Sequence, residues 1–320
     1  MKVLMTEPLQ PVGQALFHGN SEVELITPEE LSEEALVAAV RGVEGIAVRS
    51  AKLTENVLAA ATDLRAVSRH GVGYDNIHVP SLTLRGIPML LAIHANAVSV
   101  AEHTMYLVLS LAKRGRVYDA AARASDFAMR TSPIAVDIAD KVITIVGFGR
   151  IGTRLAKRAL AFDMKVFVMD PYVSNGLIEE SGCVPVDDFR KVLPETDFLT
   201  VHCPLNDQTR YMIGVNELSA MKKDSFVINC ARGGIIHEQA LEDALNEEKI
   251  AGAGVDVFET EPPASDHPFL KNQKIILSPH SAGVSIEAAR RMSYETADNL
   301  LKALQGSVKP ETLANPEILE

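Results

Sequence analysis

Cysteine is scarce: only Cys183, Cys203 and Cys230 occur, an odd number with no C-x-x-C spacing. Neither a disulfide framework nor a zinc cluster fits that pattern. No metal site is expected, and small buried thiols in a reduced compartment are the plain reading. Positive charge is also short, with 31 Lys and Arg against 42 Asp and Glu and a formal net charge of −11. That balance opposes attraction to phosphate backbones or to an anionic membrane surface, so neither nucleic acid nor membrane is an expected partner. Long apolar runs are missing too. The longest, 98–112, is interrupted by Glu102 and His103 and is too short to span a bilayer. The opening MKVLMTEP reads as a strand instead of a basic segment followed by an apolar one, so no secretory leader and a cytoplasmic location are expected.

What is present points to a large α/β protein. At 320 residues with 47% apolar content, the chain can bury a sizeable core and is long enough for two globular units. Strand-like KVLM, VELI, GIAV, RAVS and IPMLL alternate with helix-patterned LSEEALVAAV and TENVLAAA over the first hundred residues. Such alternation signals βαβ units and a parallel sheet. Residues 98–113 are apolar on nearly every side, as in a helix packed on both faces, and 114–139 read as a linking arm without strand signals. A second series follows: VITIV, KVFVMD, FLTVH, SFVIN, AGVDVF and KIILS give six strand candidates, the count of a doubly wound dinucleotide domain. The last long helical pattern, SIEAARRMSYETADNLLKAL, ends near Gly306 and is expected to return to the first unit, which lacks a closing helix.

Gly147-Phe148-Gly149-Arg150-Ile151-Gly152 matches G-x-G-x-x-G directly after a strand and at the opening of a helix. The first glycine permits a tight turn, the second a close approach of backbone to pyrophosphate, and the third close packing of helix on strand. The helix N-terminus adds free N–H groups and partial positive charge. Alone, the hexapeptide is equally a plain strand-to-helix turn. Asp170 shifts that balance, because it ends the next strand, where a carboxylate can accept from both ribose hydroxyls and repel a 2′-phosphate. NAD is therefore expected over NADP. Arg150 lies inside the fingerprint and so nearer the pyrophosphate.

Three further residues each follow a short apolar strand: Arg232 in CARGG, Glu261 in FETEPP and His280 in SPHSAG. In a parallel sheet they would gather at the carboxyl edge, where open α/β sheets bind ligands. Hydride transfer to a carbonyl builds charge on oxygen, which needs a proton donor and a fixed cation. His280 suits the first task, Glu261 would orient its ring, and the planar guanidinium of Arg232 can pair with a substrate carboxylate. Taken singly, each has a bland explanation: a surface ion pair, a loop charge, an interior histidine.

Over essentially its whole length the chain resembles the D-isomer-specific 2-hydroxyacid dehydrogenase family. The matching stretches are VRSAK, HGVGYDNI, VGFGRIG, VMDPY, VHCPLNDQTR, NCARGGIIHEQAL, GAGVDVFETEPP and SPHSAG. The 3-phosphoglycerate dehydrogenase and hydroxypyruvate reductase branch is the nearest match. The resemblance implies an α/β fold with a doubly wound parallel-sheet NAD domain (98–288) and a smaller, discontinuous, flavodoxin-like substrate domain (1–97 and 289–320). It implies a homodimer formed mainly through the NAD domain, closing over a cleft. It also implies His280 as acid/base, Glu261 as its partner and Arg232 as the group that holds carboxylate and carbonyl.

By the same matching, Pro171, His202, Cys203, Pro204, Thr209, Cys230, Ala231, Asp256, Ala282 and Gly283 would line the cofactor. Ser50, Val72 and Gly73 would meet the substrate, the last two through backbone N–H groups. Relatives often carry Asp at the position of His237 and a small residue at that of His70. His237 reads as a surface change, whereas His70, beside the expected substrate loop, bears on specificity.

Arg49 and Arg69 end first-unit strands and match positions that bind phosphate in 3-phosphoglycerate dehydrogenases, with Lys52 adding charge. They are equally readable as rim or structural arginines. No regulatory domain is expected after Glu320, which weighs against phosphoglycerate. Hydroxypyruvate, glyoxylate and sulfolactate-type substrates stay open. The rival class is an NAD(H)-sensing, corepressor-like binding protein on the same fold; a formate or phosphite oxidase is a third reading, but the formate branch's N-terminal insertion is absent.

Overall fold

The computed structural model describes residues 1–320. The chain divides into two compact units, Met1–Asn96 with Val284–Glu320, and Ala97–Gly283.

The first unit carries strands β1 (Lys2–Met5), β2 (Glu24–Ile26), β3 (Gly45–Val48), β4 (Ala66–Arg69) and β5 (Met89–Leu91). All pair in parallel, in the order β2-β1-β3-β4-β5, a flavodoxin-like arrangement. Between them run α1 (Pro11–His18), α2 (Glu33–Ala39), α3 (Glu55–Ala60) and α4 (Val79–Leu84). The strands are apolar without alternation because both faces of the sheet are covered. Leu4, Ile46, Val67 and Met89 face Leu36, Leu58 and Leu82 on one side. Ser32 and Thr54 begin α2 and α3 by accepting the amides of Ala35 and Val57, caps worth about 1 kcal/mol each. Helices α1 and α4 leave no mark in the apolar pattern. Both are short and carry a proline in the first turn (Pro11, Pro80), which reads as a breaker until the turn itself is seen.

The second unit opens on α5 (Ala97–Ala112) and α6 (Gly115–Arg123). Its sheet holds β6 (Val142–Val146), β7 (Lys165–Met169), β8 (Val184–Pro185), β9 (Phe198–Val201), β10 (Phe226–Asn229), β11 (Gly252–Val255) and β12 (Ile275–Leu277). Helices α7 (Gly152–Ala161), α8 (Asn175–Glu180), α9 (Val215–Ala220) and α10 (Glu238–Asn246) connect them. The order is β12-β11-β10-β9-β6-β7-β8, the doubly wound pattern with one strand more than the six expected. The extra strand, β8, has two residues and ends in Pro185 at the sheet edge, too short to show a pattern. Phe226 and Ile228 pack against Leu107, Val108 and Leu111 of α5, while Val227 and Val255 pack against Leu241 and Leu245 of α10. Glycine makes the α5 contact possible: a Cβ on Gly254 would lie 3.1 Å from Leu107. Within this chain α5 is not covered all round, since Glu102 and Tyr106 are exposed. The expected linking arm contains α6, none of whose residues is buried.

The chain then returns to the first unit as α11 (Ile286–Leu304), capped by Ser285 on the Ala288 amide at 3.0 Å. Its Ala297, Leu300 and Leu304 cover Val3, Met5, Ala47, Ala66 and Leu90, the second face of the sheet, alongside Phe17 of α1. Here α1 and α11 come so close that a Cβ on Gly13 would fall 2.4 Å from the Ser293 carbonyl oxygen. Ala314 then donates to Met89, and Asn315 bonds Met89 and Ile87, which covers the β5 edge.

Candidate active site

The fingerprint loop joins β6 to α7, at the point where the strand order reverses. Gly147 adopts φ +100, and a Cβ there would collide with the His202 carbonyl at 2.8 Å, so both conformation and space demand glycine. Gly152 is equally constrained, because a Cβ would sit 2.1 Å from the Gly147 oxygen. Gly149 differs: nothing in the chain lies within 4 Å of where its Cβ would be. Its lack of a side chain serves no internal contact and leaves an open cradle over the α7 N-terminus, which fits a pyrophosphate. Arg150 and Ile151 complete the turn, with Arg150 exposed.

Asp170 follows β7 and accepts from Phe148 N at 2.6 Å and from Tyr172 N at 2.8 Å. One carboxylate oxygen thus holds the fingerprint loop itself, while each retains lone pairs for ribose hydroxyls. Pro171 begins the exposed turn beyond it. After β9, His202 places Nε2 3.0 Å from Thr200 Oγ1, while its Nδ1 is enclosed without a hydrogen-bond partner. Enclosure drives the ring down to about 3, so it is neutral. The turn that follows is closed by Thr209, whose hydroxyl donates to the Pro204 carbonyl at 2.6 Å. Burial pushes the Cys203 thiol up to about 11, and burial plus the charge of Asp256 pushes Cys230 up to about 12. Both remain thiols at neutral pH and are not nucleophiles.

Arg232, Glu261 and His280 lie past the carboxyl ends of β10, β11 and β12, three neighbouring strands. Two strand spacings, about 10 Å, separate β10 from the fingerprint strand β6. His280 Nδ1 donates to Glu261 Oε2 at 2.6 Å, which leaves Nε2 on the side of the ring away from that carboxylate. Glu261 Oε1 accepts from Phe258 N at 3.0 Å, so the carboxylate is fixed at both oxygens. The Arg232 loop is folded by Asn229, which accepts from Ala231 N at 3.0 Å and donates to the Arg232 carbonyl at 2.9 Å. Arg232 Nη1 donates to the Ala231 carbonyl at 2.7 Å, which steadies the guanidinium.

His280 sits at φ +50, a left-handed conformation that costs roughly 1–3 kcal/mol. Asp256, buried to 1% exposure, holds it there. Its carboxylate accepts from Ser278 Oγ at 2.5 Å, Ser281 N at 2.8 Å and Ala282 N at 3.0 Å, and its carbonyl accepts from His280 N at 2.7 Å. Because Ser278 gives its only proton to Asp256, His103 must donate to the Ser278 hydroxyl, 3.0 Å away. Burial lowers the His103 pKa, partly offset by Asp256. Asp256, Ala282 and the adjoining Gly283 therefore form the bed of the His280 loop. Asn229, Ser278 and His103 were not singled out as site residues from sequence; the available signal was a polar residue closing or following an apolar strand for the first two and a polar interruption of an apolar helix for His103.

In the first unit, Arg49 and Ser50 follow β3, Arg69 closes the adjacent strand β4, and Val72 and Gly73 come just after it. Glu7, unremarked in the sequence, organises the loop after β3. Its carboxylate accepts the amides of Arg49 at 3.2 Å, Ser50 at 2.6 Å and Ala51 at 3.2 Å, and the hydroxyls of Thr6 and Ser50. Burial would raise its pKa, but the Ser50 and Thr6 hydroxyls and the Ser50 and Arg49 amides outweigh burial and hold the carboxyl below its ordinary range. The polar groups of Ser50 are thus engaged within the chain. Arg69 bends back, with Nη1 donating to the His70 carbonyl. His70 is buried with Nε2 3.1 Å from Ser293 Oγ; burial and the charges of Arg49 and Arg69 lower it to about 4. Its ring is a core tie to α11. His237, by contrast, accepts from Ala240 N at 3.2 Å and caps α10.

The covered parallel sheets and the glycine cradle define a doubly wound, dinucleotide-binding type of architecture. Residues 105–282 match the family described as D-isomer specific 2-hydroxyacid dehydrogenase, NAD binding domain, and the chain belongs to that family. It is 35% identical over 319 residues to a D-3-phosphoglycerate dehydrogenase of Methanocaldococcus jannaschii, covering 99% of this chain but 60% of that relative. A glyoxylate reductase of Korarchaeum cryptofilum is 32% identical over 100% of this chain and 97% of its own length. The D-lactate dehydrogenase of Aquifex aeolicus, solved with NAD and lactic acid, superposes with TM-score 0.85 at 27% identity, covering 98% of this chain and 99% of that one. No helix is long and apolar enough to cross a membrane.

Proposed function

We propose that the chain is an NAD-dependent oxidoreductase interconverting a small D-2-hydroxy acid and its 2-oxo acid. The observation that carries this reading is the His280–Glu261 hydrogen bond of 2.6 Å on the sheet edge that also bears the glycine cradle. Bound at that cradle, NAD would supply or accept the hydride. His280 Nε2 gives a proton to the carbonyl oxygen during reduction and takes it back during oxidation. Glu261 accepts from Nδ1 and so fixes the orientation of the ring. Arg232 holds the substrate carboxylate in paired hydrogen bonds and stabilises charge developing on the neighbouring oxygen. Asp170 accepts from the ribose and repels a 2′-phosphate, which selects NAD over NADP.

The second unit is the cofactor domain in this reading, and the loop edge of the first unit selects the substrate. A second anion on the substrate, as in 3-phosphoglycerate or sulfolactate, would be met by Arg49 and Arg69; hydroxypyruvate and glyoxylate need neither. A second copy of the chain is the proposed partner of the second unit. Helix α6 buries nothing in one chain, and Val117, Phe127, Ile134 and Val136 around it are exposed. A nine-residue helix without a packed face is marginal in water.

The test is loss of NADH absorbance on mixing purified protein with glyoxylate, hydroxypyruvate, 3-phosphohydroxypyruvate and 3-sulfopyruvate. Turnover of at least one supports the reading. Tight NADH binding with no turnover of any would replace the enzyme with an NAD(H)-sensing protein.

A further inference from the structure

Away from the reacting groups, the N-terminus of α10 meets the segment after β11. Glu238 Oε2 lies 3.1 Å from His267 Nε2, while Glu238 Oε1 accepts from Glu259 N at 2.8 Å. Glu259 reciprocates: its Oε1 accepts from Glu238 N at 3.4 Å, and its Oε2 accepts from the Tyr211 hydroxyl at 2.9 Å. The His267 ring stands edge-on to Phe258, with centroids 5.5 Å apart, and its Nδ1 accepts from Phe269 N at 3.3 Å. One carboxylate on α10 therefore holds both ends of the 259–267 loop.

What that loop holds gives the arrangement meaning. The Phe258 N–H, on the residue directly before Glu259, donates to Glu261, whose other oxygen accepts the hydrogen bond from His280 Nδ1. The next peptide, Phe258–Glu259, touches the Arg232 loop, since a Cβ on Gly233 would fall 2.0 Å from the Phe258 oxygen and 2.4 Å from Glu259 N. Phe258 is thus held on two sides: the peptide it forms with Glu259 lies against the residue that follows Arg232, and its N–H bonds the carboxylate that orients His280. A shift of this peptide moves both.

We infer that the Glu238–His267 pair is a clasp that sets the position of the Phe258–Glu259 peptide, making Glu238 and His267 positioning residues for Glu261, His280 and Arg232. Neither reaches the reacting atoms in this scheme. The inference rests on the dehydrogenase reading for its kinetic consequence, but its geometric core stands without it. Displacing catalytic groups by about 1 Å costs on the order of 10²-fold in rate. Binding of the cofactor, which depends on the fingerprint loop and Asp170, should be indifferent to the clasp.

The experiment compares wild type, Glu238→Ala, Glu238→Gln and His267→Gln by kcat, KM for the 2-oxo acid turned over, and NADH Kd. Proton NMR follows the downfield imidazole N–H signal of His280, assigned by its disappearance in His280→Gln. Expected for Glu238→Ala is a fall in kcat of about 10²-fold with unchanged NADH Kd, and loss of the His280 signal to solvent exchange. Glu238→Gln keeps an acceptor for the Glu259 amide and should recover most of the rate and the signal. Wild-type kcat and an intact signal in Glu238→Ala would overturn the clasp, as would a fall in NADH affinity parallel to kcat. If Glu238→Ala does not fold, His267→Gln decides instead: a lowered kcat with unchanged NADH Kd is expected, and wild-type kcat with an intact His280 signal would overturn the clasp equally. Should wild type turn over none of the acids, the dehydrogenase reading fails while the His280 signal still decides the clasp.

Discussion

The carboxyl edges of the two sheets are built alike and differ in what they leave available. On each, an acid at or near a strand end takes the amides of a neighbouring loop: Glu7 holds 49–51, Asp170 holds Phe148, and Asp256 holds 281 and 282. In the second unit these bonds brace the fingerprint loop and the loop that presents His280. In the first unit the polar groups turn inward: Ser50 onto Glu7, Arg69 onto the His70 carbonyl, and His70 onto Ser293. The same construction thus yields a chemical edge in one unit and a self-satisfied edge in the other. A rigid reacting centre needs its organisers fixed and its actors exposed, whereas an edge that only selects can keep its charges partly tied.

That contrast is open to attack at its strongest point first. His280→Ala should lower kcat by about 10³-fold, the scale of a lost general acid, with NADH affinity unchanged in a fluorescence titration. Comparable loss of NADH affinity would make His280 part of the framework instead. Next, Asp170→Ala should weaken NADH about tenfold, the worth of a charge-assisted hydrogen bond, while NADPH binding holds or improves; equal losses would refute the ribose assignment. Smaller again is Arg69→Ala: with one guanidinium nitrogen tied to its own loop, kcat/KM should fall less than about tenfold for the phosphorylated and sulfonated acids and hold for glyoxylate and hydroxypyruvate. A larger loss confined to the phosphorylated acid would show that this edge is as chemical as the other.

The mildest effect concerns pH. His70 is held near 4 in the folded chain against an ordinary 6.5, so the unfolded chain binds more protons between those values. Its contribution is complete above about 6.5 and is lost as pH falls towards 4. A Tm profile should slope downwards through that window and be flatter in His70→Gln; parallel profiles would exclude His70 as a source.

The alternating apolar runs disclosed both sheets because covered parallel strands need unbroken apolar stretches, and the trio showed itself by residue type at strand ends. Helix α6 and the two-residue β8 carried too little pattern. Glu7, Asn229, Glu238 and His267 stayed hidden for a different reason. Each is an ordinary polar residue whose meaning lies in a partner brought by the fold; Glu238 and the Glu259 amide are 21 residues apart in the chain. Arg69 illustrates the converse, for a strand-end position cannot tell whether a guanidinium reaches outward or bends onto the next carbonyl.

The return of α11 to the first sheet has a consequence for synthesis. Until residues beyond 283 leave the ribosome, the face formed by Val3, Met5, Ala47, Ala66 and Leu90 lacks most of its cover. Making the intervening unit takes on the order of ten seconds or more at ordinary elongation rates. Nascent chains stalled before Val284 should be cut by protease within 1–96, and chaperones that bind bare apolar surface should find them there. Protection of that segment would mean that the first sheet closes without its final helix.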